Sequence, residues 1–437
     1  MSSFFLIDSL SIICLILILL VASVVFCYAK NYLNGENKKT SFLINIVIIS
    51  SCLIIFVISN NIFILCLASI VANIFLVAIM IYKKSWRQAF NSGIIALKNF
   101  ILGGICFFIA MLLLYKITGS YLLSEIMVSS NFNKNNLLII CTLITIAVFC
   151  QSAIYPFHSW LVNSLNSPTP TSALMHAGII NGGGIILTKF AFLFLQLPNL
   201  LTFIFVLATI SMIIGNIYKL IQSDVKSMLA YSTMCQMGFM ILQCSIGAFP
   251  SAIAHLFWHS MFKAYLFLSS ASSWQEKNLT LVKNFRLSHF CLAVSCGIFG
   301  SVIFVQINQL QQWFFSSILL LIMVCFCLIT TVALIIIDNS TKKFISALLI
   351  SGVVAIIYAC SLWLIKNILP NNYFMPQELN IWHIMAMILL FVMWLFGLFW
   401  QRKTHSSSPI ILKLYVKLLN LSSSKTITLN RNQYNYE

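Results

Sequence analysis

Charge is what this sequence has least of. Of its 437 residues only 8% are Asp, Glu, Lys or Arg, and just 8 are acidic. A soluble domain carries roughly a quarter charged residues, so few charges cannot cover a water-facing surface of this size. No carboxylate pair or activated nucleophile stands out, which argues against a hydrolytic or acid–base enzyme. The 14 cysteines contain no CxxC spacing, which removes zinc ribbons and thiol redox motifs. They are scattered through apolar runs, where a free cysteine behaves as a small hydrophobe. There is no repeat of 20 to 50 residues and no low-complexity block. The first apolar run, Phe4 to Ala29, lacks a basic leader and a small-residue cleavage site, and Asp8 stands where positive charge would be expected. It therefore reads as a membrane span rather than a signal peptide.

What is present is hydrophobicity, at 61% of the chain, in recurrent runs long enough to cross a bilayer as helices. Thirteen runs are predicted as spans: 4–29, 41–59, 62–82, 99–116, 137–155, 171–195, 200–218, 228–246, 251–272, 287–305, 314–337, 344–365 and 383–400. The expected fold class is all-α: a polytopic membrane protein of about thirteen transmembrane helices over 1–400, with a basic tail over 401–437. Sorting Lys and Arg by alternate loops puts 20 on one side and 3 on the other (Lys116, Lys134, Lys366), with Lys189 and Lys263 inside spans. By the positive-inside rule the N-terminus is outside and the C-terminus cytoplasmic, as in a bacterial inner membrane. The net charge of +17 is then a topology signal rather than a nucleic-acid footprint. In the tail, Ile410 to Leu421 alternates apolar residues with Lys413 and Lys417. It reads either as a helix on the inner membrane face or as a basic tail held by anionic lipid.

Two constellations carry chemistry. The stretch Gln151 to Lys189 is interrupted by Pro156, Pro168 and Pro170 and ends in Gly182, Gly183 and Gly184. Ser167 is expected to cap the following helix, with Pro168 in its first turn. Broken backbone at membrane depth is tolerated only against protein or a wet cavity, and His158, His176 and Lys189 lie in the same stretch. The second is His255, His259 and Lys263, spaced four apart and so on one helix face. Leu256 after the first histidine speaks against a zinc-protease arrangement, and no third ligand is evident. Ionisable groups inside spans mark ion or proton pathways. The bland alternative is a set of satisfied structural histidines. Asp224 and Lys226 sit at a cytoplasmic helix start, where Asp suits the positive end of the dipole and simple capping is the plain reading.

These residues resemble the large antiporter-like subunits of respiratory complex I and their relatives, over about residues 40–275. The matching positions are Pro156, Trp160, Leu161, Pro168, Thr169, Pro170, Ser172, Ala173 and His176; then Asp224, Lys226, Leu229, Ala230, Tyr231, Ser232, Thr233, Gln236 and Gly238; then His255, His259, Lys263, Leu266, Phe267 and Leu268. The resemblance implies an antiporter-like fold with broken helices, and a proton path using His176, His255, His259 and Lys263, with Lys189 and the Gln151 position. Two positions depart from the pattern. Ile70 stands where the family has Glu, and Gln151 where it has Lys. Within the family, His158 and the GIINGGG segment are similar to the DabB branch, the membrane subunits of inorganic-carbon pumps. That likeness implies no cofactor in this chain and a cytoplasmic DabA-like zinc partner resembling β-carbonic anhydrase, in a heteromeric complex within membrane lipid. The competing expectations are a proton-translocating subunit of a complex I-like or Mrp-type antiporter, which calls for the missing Glu–Lys pair, and a passive anchor, which needs no ionisable row.

Overall fold

The computed structural model describes residues 4–422 except 84, 129–131, 223, 271–286, 309–325, 327–328, 331, 333–343, 371–376, 379 and 401–408. Every expected span falls on a helix or a broken helix, save 314–337, which lies largely outside the described residues. Eight helices among the described residues are long and apolar enough to cross a membrane, α1 (Ser9–Tyr32) being the first. The chain is a multi-pass, all-helical membrane protein.

It divides into two compact units. The first comprises residues 1–242, 255–273 and 409–437, the second 243–254 and 274–408. The first unit holds, after α1, helices α2 (Lys39–Ile58), α3 (Ile62–Met80), α4 (Arg87–Thr118), α5 (Leu123–Val128), α6 (Lys134–Gln151) and α7 (Ser159–Asn163). There follow α8 (Thr169–Ala177), α9 (Gly182–Lys189), α10 (Ala191–Phe194), α11 (Pro198–Ile221) and parts of α12 (Val225–Ser245) and α13 (Phe249–Ser269). Asp8 caps α1 by accepting from Ser11 N at 2.8 Å, and the strand-like residues before it bond to 58–60. In the second unit, α14 (Leu287–Asn308) packs on α15 (Phe344–Ile368) around Phe304, Ala355, Ala359 and Leu362; α16 (Ile381–Trp400) follows. The tail forms α17 (Pro409–Ser422), which belongs to the first unit. Tyr231 Oη donates to Ser422 O at 2.6 Å and Tyr415 Oη to Ile221 O at 3.4 Å, while Lys413 and Lys417 are exposed.

The stretch 169–194 is one span in pieces: α8, a 3-10 turn over Ile179–Asn181, then α9 and α10. Gly178 ends α8 with φ −114° and ψ −80°. The break frees carbonyls that a continuous helix would use, and in lipid each orphan costs several kcal/mol. Side chains meet them. Asn181 Nδ2 donates to Ala177 O at 2.7 Å, Gln151 Nε2 to Ile179 O at 2.9 Å, and Ser152 Oγ to Ile180 O at 2.9 Å. The glycines allow this closeness. A Cβ on Gly183 would stand 2.1 Å from Ser152 Oγ and 3.0 Å from Val148 O.

The expected cap at Ser167 is not made. The helix starts one residue later, with Pro168 at the N-cap and Pro170 in the first turn. Ser167 thus lies one position outside the cap, and Pro170 offers no N–H for a side chain to accept from.

Candidate functional site

α13 carries His255, His259 and Lys263 one turn apart, and the structure stacks them as the spacing predicts. The two imidazoles lie nearly parallel, with centroids 5.8 Å apart and planes 20° from one another. Lys263 and His176 are each 1% exposed and His259 is 6% exposed. Lys263 Nζ donates to the Leu229 carbonyl of α12 at 3.1 Å. The same carbonyl accepts the Thr233 hydroxyl at 2.9 Å, and Thr233 Oγ1 lies 3.0 Å from His176 Nδ1. Because the Thr233 hydrogen points at Leu229, its lone pair faces His176. Nδ1 therefore carries the imidazole hydrogen, and Nε2 is the basic nitrogen. The His176 ring is held against Phe267, with centroids 4.2 Å apart.

The break in the span enters the site directly. Nε2 of His255 and of His259 is buried and meets no hydrogen-bond partner among the described residues. Buried polar atoms in native proteins are nearly always satisfied by protein or water. Two such nitrogens in one row set this face of α13 apart from an ordinary buried helix surface. Ser260 and Asn181 brace the row: Asn181 Nδ2 donates to Ser260 Oγ at 2.7 Å.

The structure thus brings His176, His255, His259 and Lys263 together. It puts the other expected site residues elsewhere. Lys189, 5% exposed, donates to Ser59 O at 3.3 Å and lies within electrostatic reach of Asp8 and Cys14, near the start of α1. Gln151 exchanges hydrogen bonds with Asn73 of α3 at 2.9 and 3.3 Å. Asp224 caps α12 by accepting from Ser227 N at 2.8 Å, and Lys226 Nζ reaches Ser167 O at 3.4 Å. His158 stacks on Tyr155, with centroids 5.7 Å apart.

Sequence reasoning missed Thr233 and Asn181 as members of the site. Both lie inside segments already singled out, but their roles depend on which helix comes to lie opposite. Nothing in a threonine on α12 announces a histidine 57 positions earlier.

The family described as "NADH:quinone oxidoreductase/Mrp antiporter, TM" matches residues 59–335, and "NADH-Ubiquinone oxidoreductase (complex I), chain 5 N-terminus" matches residues 2–43. A Halothiobacillus neapolitanus protein, "Probable inorganic carbon transporter subunit DabB1", is 33% identical over 286 residues, covering 62% of this chain and 50% of that one. A Bacillus subtilis protein, "Probable inorganic carbon transporter subunit DabB", is 38% identical over 211 residues, 47% of this chain and 41% of that one. The "NADH-quinone oxidoreductase subunit L" of Buchnera aphidicola is 32% identical over 277 residues, 61% of this chain and 44% of that one. The chain spans about half the length of the curated relatives it matches. Among solved structures, a chain of the Mrp complex from Dietzia sp. DQ12-45-1b superposes with a TM-score of 0.64 at 18% identity, covering 95% of this chain and 52% of that one. That likeness is one of fold.

Proposed function

The chain belongs to the NADH:quinone oxidoreductase/Mrp antiporter transmembrane family, and from that premise we propose that it is the membrane subunit of an energy-coupled inorganic-carbon pump. It lies in a bacterial inner membrane with the N-terminus outside and the C-terminus cytoplasmic. It conducts protons, or another cation, to drive a cytoplasmic carbonic-anhydrase-like zinc partner. The names of its DabB relatives support the carbon branch.

The observation that carries the proton-conducting part is the connected row His176, Thr233, Leu229 O and Lys263, with His259 and His255 beside it. Histidine exchanges protons near neutral pH and a lysine in apolar surroundings does so more readily than in water. No ion pair to a carboxylate holds Lys263 among the described residues; its ammonium rests on one carbonyl. A proton bound at His255 Nε2 passes to His259 across the stacked pair, then to the Lys263 amine. Thr233 positions His176 beside the Leu229 carbonyl rather than passing the proton, since its hydroxyl hydrogen is donated to Leu229 O and its lone pair faces His176 Nδ1. Lys189, beside Asp8 and Ser59, lies on the outer side of the membrane in this topology and serves as the last buried group there.

The test is co-expression with a candidate zinc partner in a carbonic-anhydrase-deficient strain grown in air. The pair should restore growth and the chain alone should not; a protonophore should abolish wild-type uptake. Lys263→Met keeps length and packing, so the complex should assemble without taking up carbon. Lys263→Arg holds its charge permanently and should fail too. Full uptake by assembled Lys263→Met would reduce the row to structural polar residues. The alternative, a complex I-like or Mrp-type subunit, is supported by the matched family and by the Buchnera aphidicola relative. It would appear as cation/proton exchange in vesicles without partner-dependent carbon uptake.

A further inference from the structure

A second polar site lies apart from the histidine row, at the lysine-rich end of the first unit. Here the start of α8 meets the ends of α1 and α3 and the start of α12. Between them is a crevice of about 270 Å³. One water occupies roughly 30 Å³, so the space suits a small polyatomic group with its hydration rather than a single solvent molecule.

Its lining is selective. Ser167 is 2% exposed, and its Oγ is buried with no hydrogen-bond partner among the described residues. Tyr82 as a whole is half-buried, but its Oη is likewise buried without a partner among the described residues, and both residues line the crevice. The Tyr82 ring is fixed edge-on to Phe42, with centroids 5.4 Å apart and planes at 87°, so its hydroxyl is aimed rather than free to swing. Two hydroxyl donors left unmatched in a buried wall are costly unless something accepts from them. The charges around them are Lys226, tethered to Ser167 O at 3.4 Å, Lys83 and Glu36; Lys83 and Glu36 form an exposed pair at 3.5 Å. Two cations against one carboxylate leave the site positive. Pro168 brings the N-terminal end of α8 to the same wall, and a helix start favours negative charge. Tyr32 and Trp86, both exposed, form an aromatic rim of the kind found at membrane–water interfaces.

We propose that this crevice binds an oxyanion through the Ser167 and Tyr82 hydroxyls and the Lys226 and Lys83 ammonium groups. Its source is either the phosphate of an anionic lipid headgroup, as basic pockets between transmembrane helices commonly hold, or a free inorganic oxyanion. The site does not depend on the proposed carbon chemistry, since binding is read directly.

The experiment uses the full chain in nanodiscs. In one arm the lipid is uncharged, and inorganic phosphate and bicarbonate are titrated by calorimetry. In the other, phosphatidylglycerol is included and its retention is read by native mass spectrometry. The variant Ser167→Ala with Tyr82→Phe removes two oxygen atoms and no bulk. It should weaken whichever anion binds by at least about tenfold, the size expected for losing hydrogen bonds to a charged group. Glu36→Gln, at an exposed position, should tighten binding a few-fold by releasing Lys83. Phosphate or bicarbonate binding in uncharged lipid that the double variant loses supports a free oxyanion. Variant-sensitive retention of phosphatidylglycerol alone supports a headgroup site. Binding in neither arm, or binding unchanged in both Ser167→Ala/Tyr82→Phe and Glu36→Gln, overturns the proposal.

Discussion

Asn73 and Gln151 hold one another by two amide hydrogen bonds, at 2.9 and 3.3 Å, across α3 and α6. Gln151 stands where the family pattern has lysine, and Ile70, one turn before Asn73, where it has glutamate. Ile70, Asn73 and Gln151 line the same small cleft. A neutral amide pair therefore occupies the region in which a charged pair would be expected. It has a second task, because Gln151 Nε2 also satisfies Ile179 O at the break of the span. An uncharged pair can hold the broken helix without taking a proton itself.

Gln151→Ala should accordingly cost more than Asn73→Ala. The first removes both amide bonds and leaves the Ile179 carbonyl without this donor; the second removes only the reciprocal pair. Buried hydrogen bonds in membrane proteins average well under 2 kcal/mol, but an orphaned carbonyl adds its desolvation penalty. The expected losses are about 2 kcal/mol for Gln151→Ala and about 1 kcal/mol for Asn73→Ala. Denaturant unfolding in detergent checks the order, and equal losses would show that the Ile179 bond contributes nothing.

Thr233 offers a sharper probe of the row than any ionisable residue. Its hydroxyl is the link between His176 Nδ1 and the carbonyl that holds Lys263. Thr233→Val keeps the shape and deletes the link; Thr233→Ser keeps the link and deletes a methyl group. Uptake by assembled complexes should fall about tenfold or more in the valine variant, which leaves the buried His176 Nδ1 without its partner and its ring unpositioned, and stay near wild type in the serine variant. Equal activity of the two would show that Thr233 does not position His176.

How much of this was legible beforehand follows from what each feature depends on. The row on α13 was readable because a spacing of four is a property of one helix and needs no neighbour. An interruption of this stretch was expected from Pro168, Pro170 and Gly182 to Gly184, but the break itself falls between them, at Gly178 to Asn181. The Asn73–Gln151 pair was not, since its members are 78 positions apart and two neutral amides carry no pattern of their own. Lys189 was grouped with the row through the family resemblance, as a second lysine inside a span, yet its partner carbonyl is on Ser59, 130 positions away. Ser167 was placed at the cap because serine before proline usually caps. The second proline, Pro170, moved the helix start by one residue and left the hydroxyl facing a crevice.

Topology can be read without any function. The 20-to-3 partition of Lys and Arg requires 39 and 343 on the same side and 133 on the other. Reporter fusions after Lys39 and Lys343 should give the cytoplasmic signal, and one after Asn133 the external signal. A cytoplasmic signal at Asn133 would mean that the span count before it is wrong by one.

The broken span and α6 fit closely at one glycine. Gly183 lies so close to α6 that a methyl group there would fall 2.1 Å from Ser152 Oγ and 3.0 Å from Val148 O. The backbone oxygen cannot move without disturbing its own helix, whereas the serine hydroxyl can turn away only by releasing Ile180 O, to which it donates at 2.9 Å. Gly183→Ala should therefore combine overpacking with a lost hydrogen bond at the break, for about 2 to 4 kcal/mol of destabilisation. Adding Ser152→Gly removes the obstructing side chain but not the lost bond. The double variant should regain part of the loss and remain about 1 kcal/mol or more below wild type, because Ile180 O stays unmet. Unfolding midpoints of wild type and the two variants in one detergent give the comparison. If Gly183→Ala is as stable as wild type, α9 does not approach α6 this closely in the membrane. The carbonyls at 179 and 180 would then need other partners, and the account of how the span stays broken would fail with them.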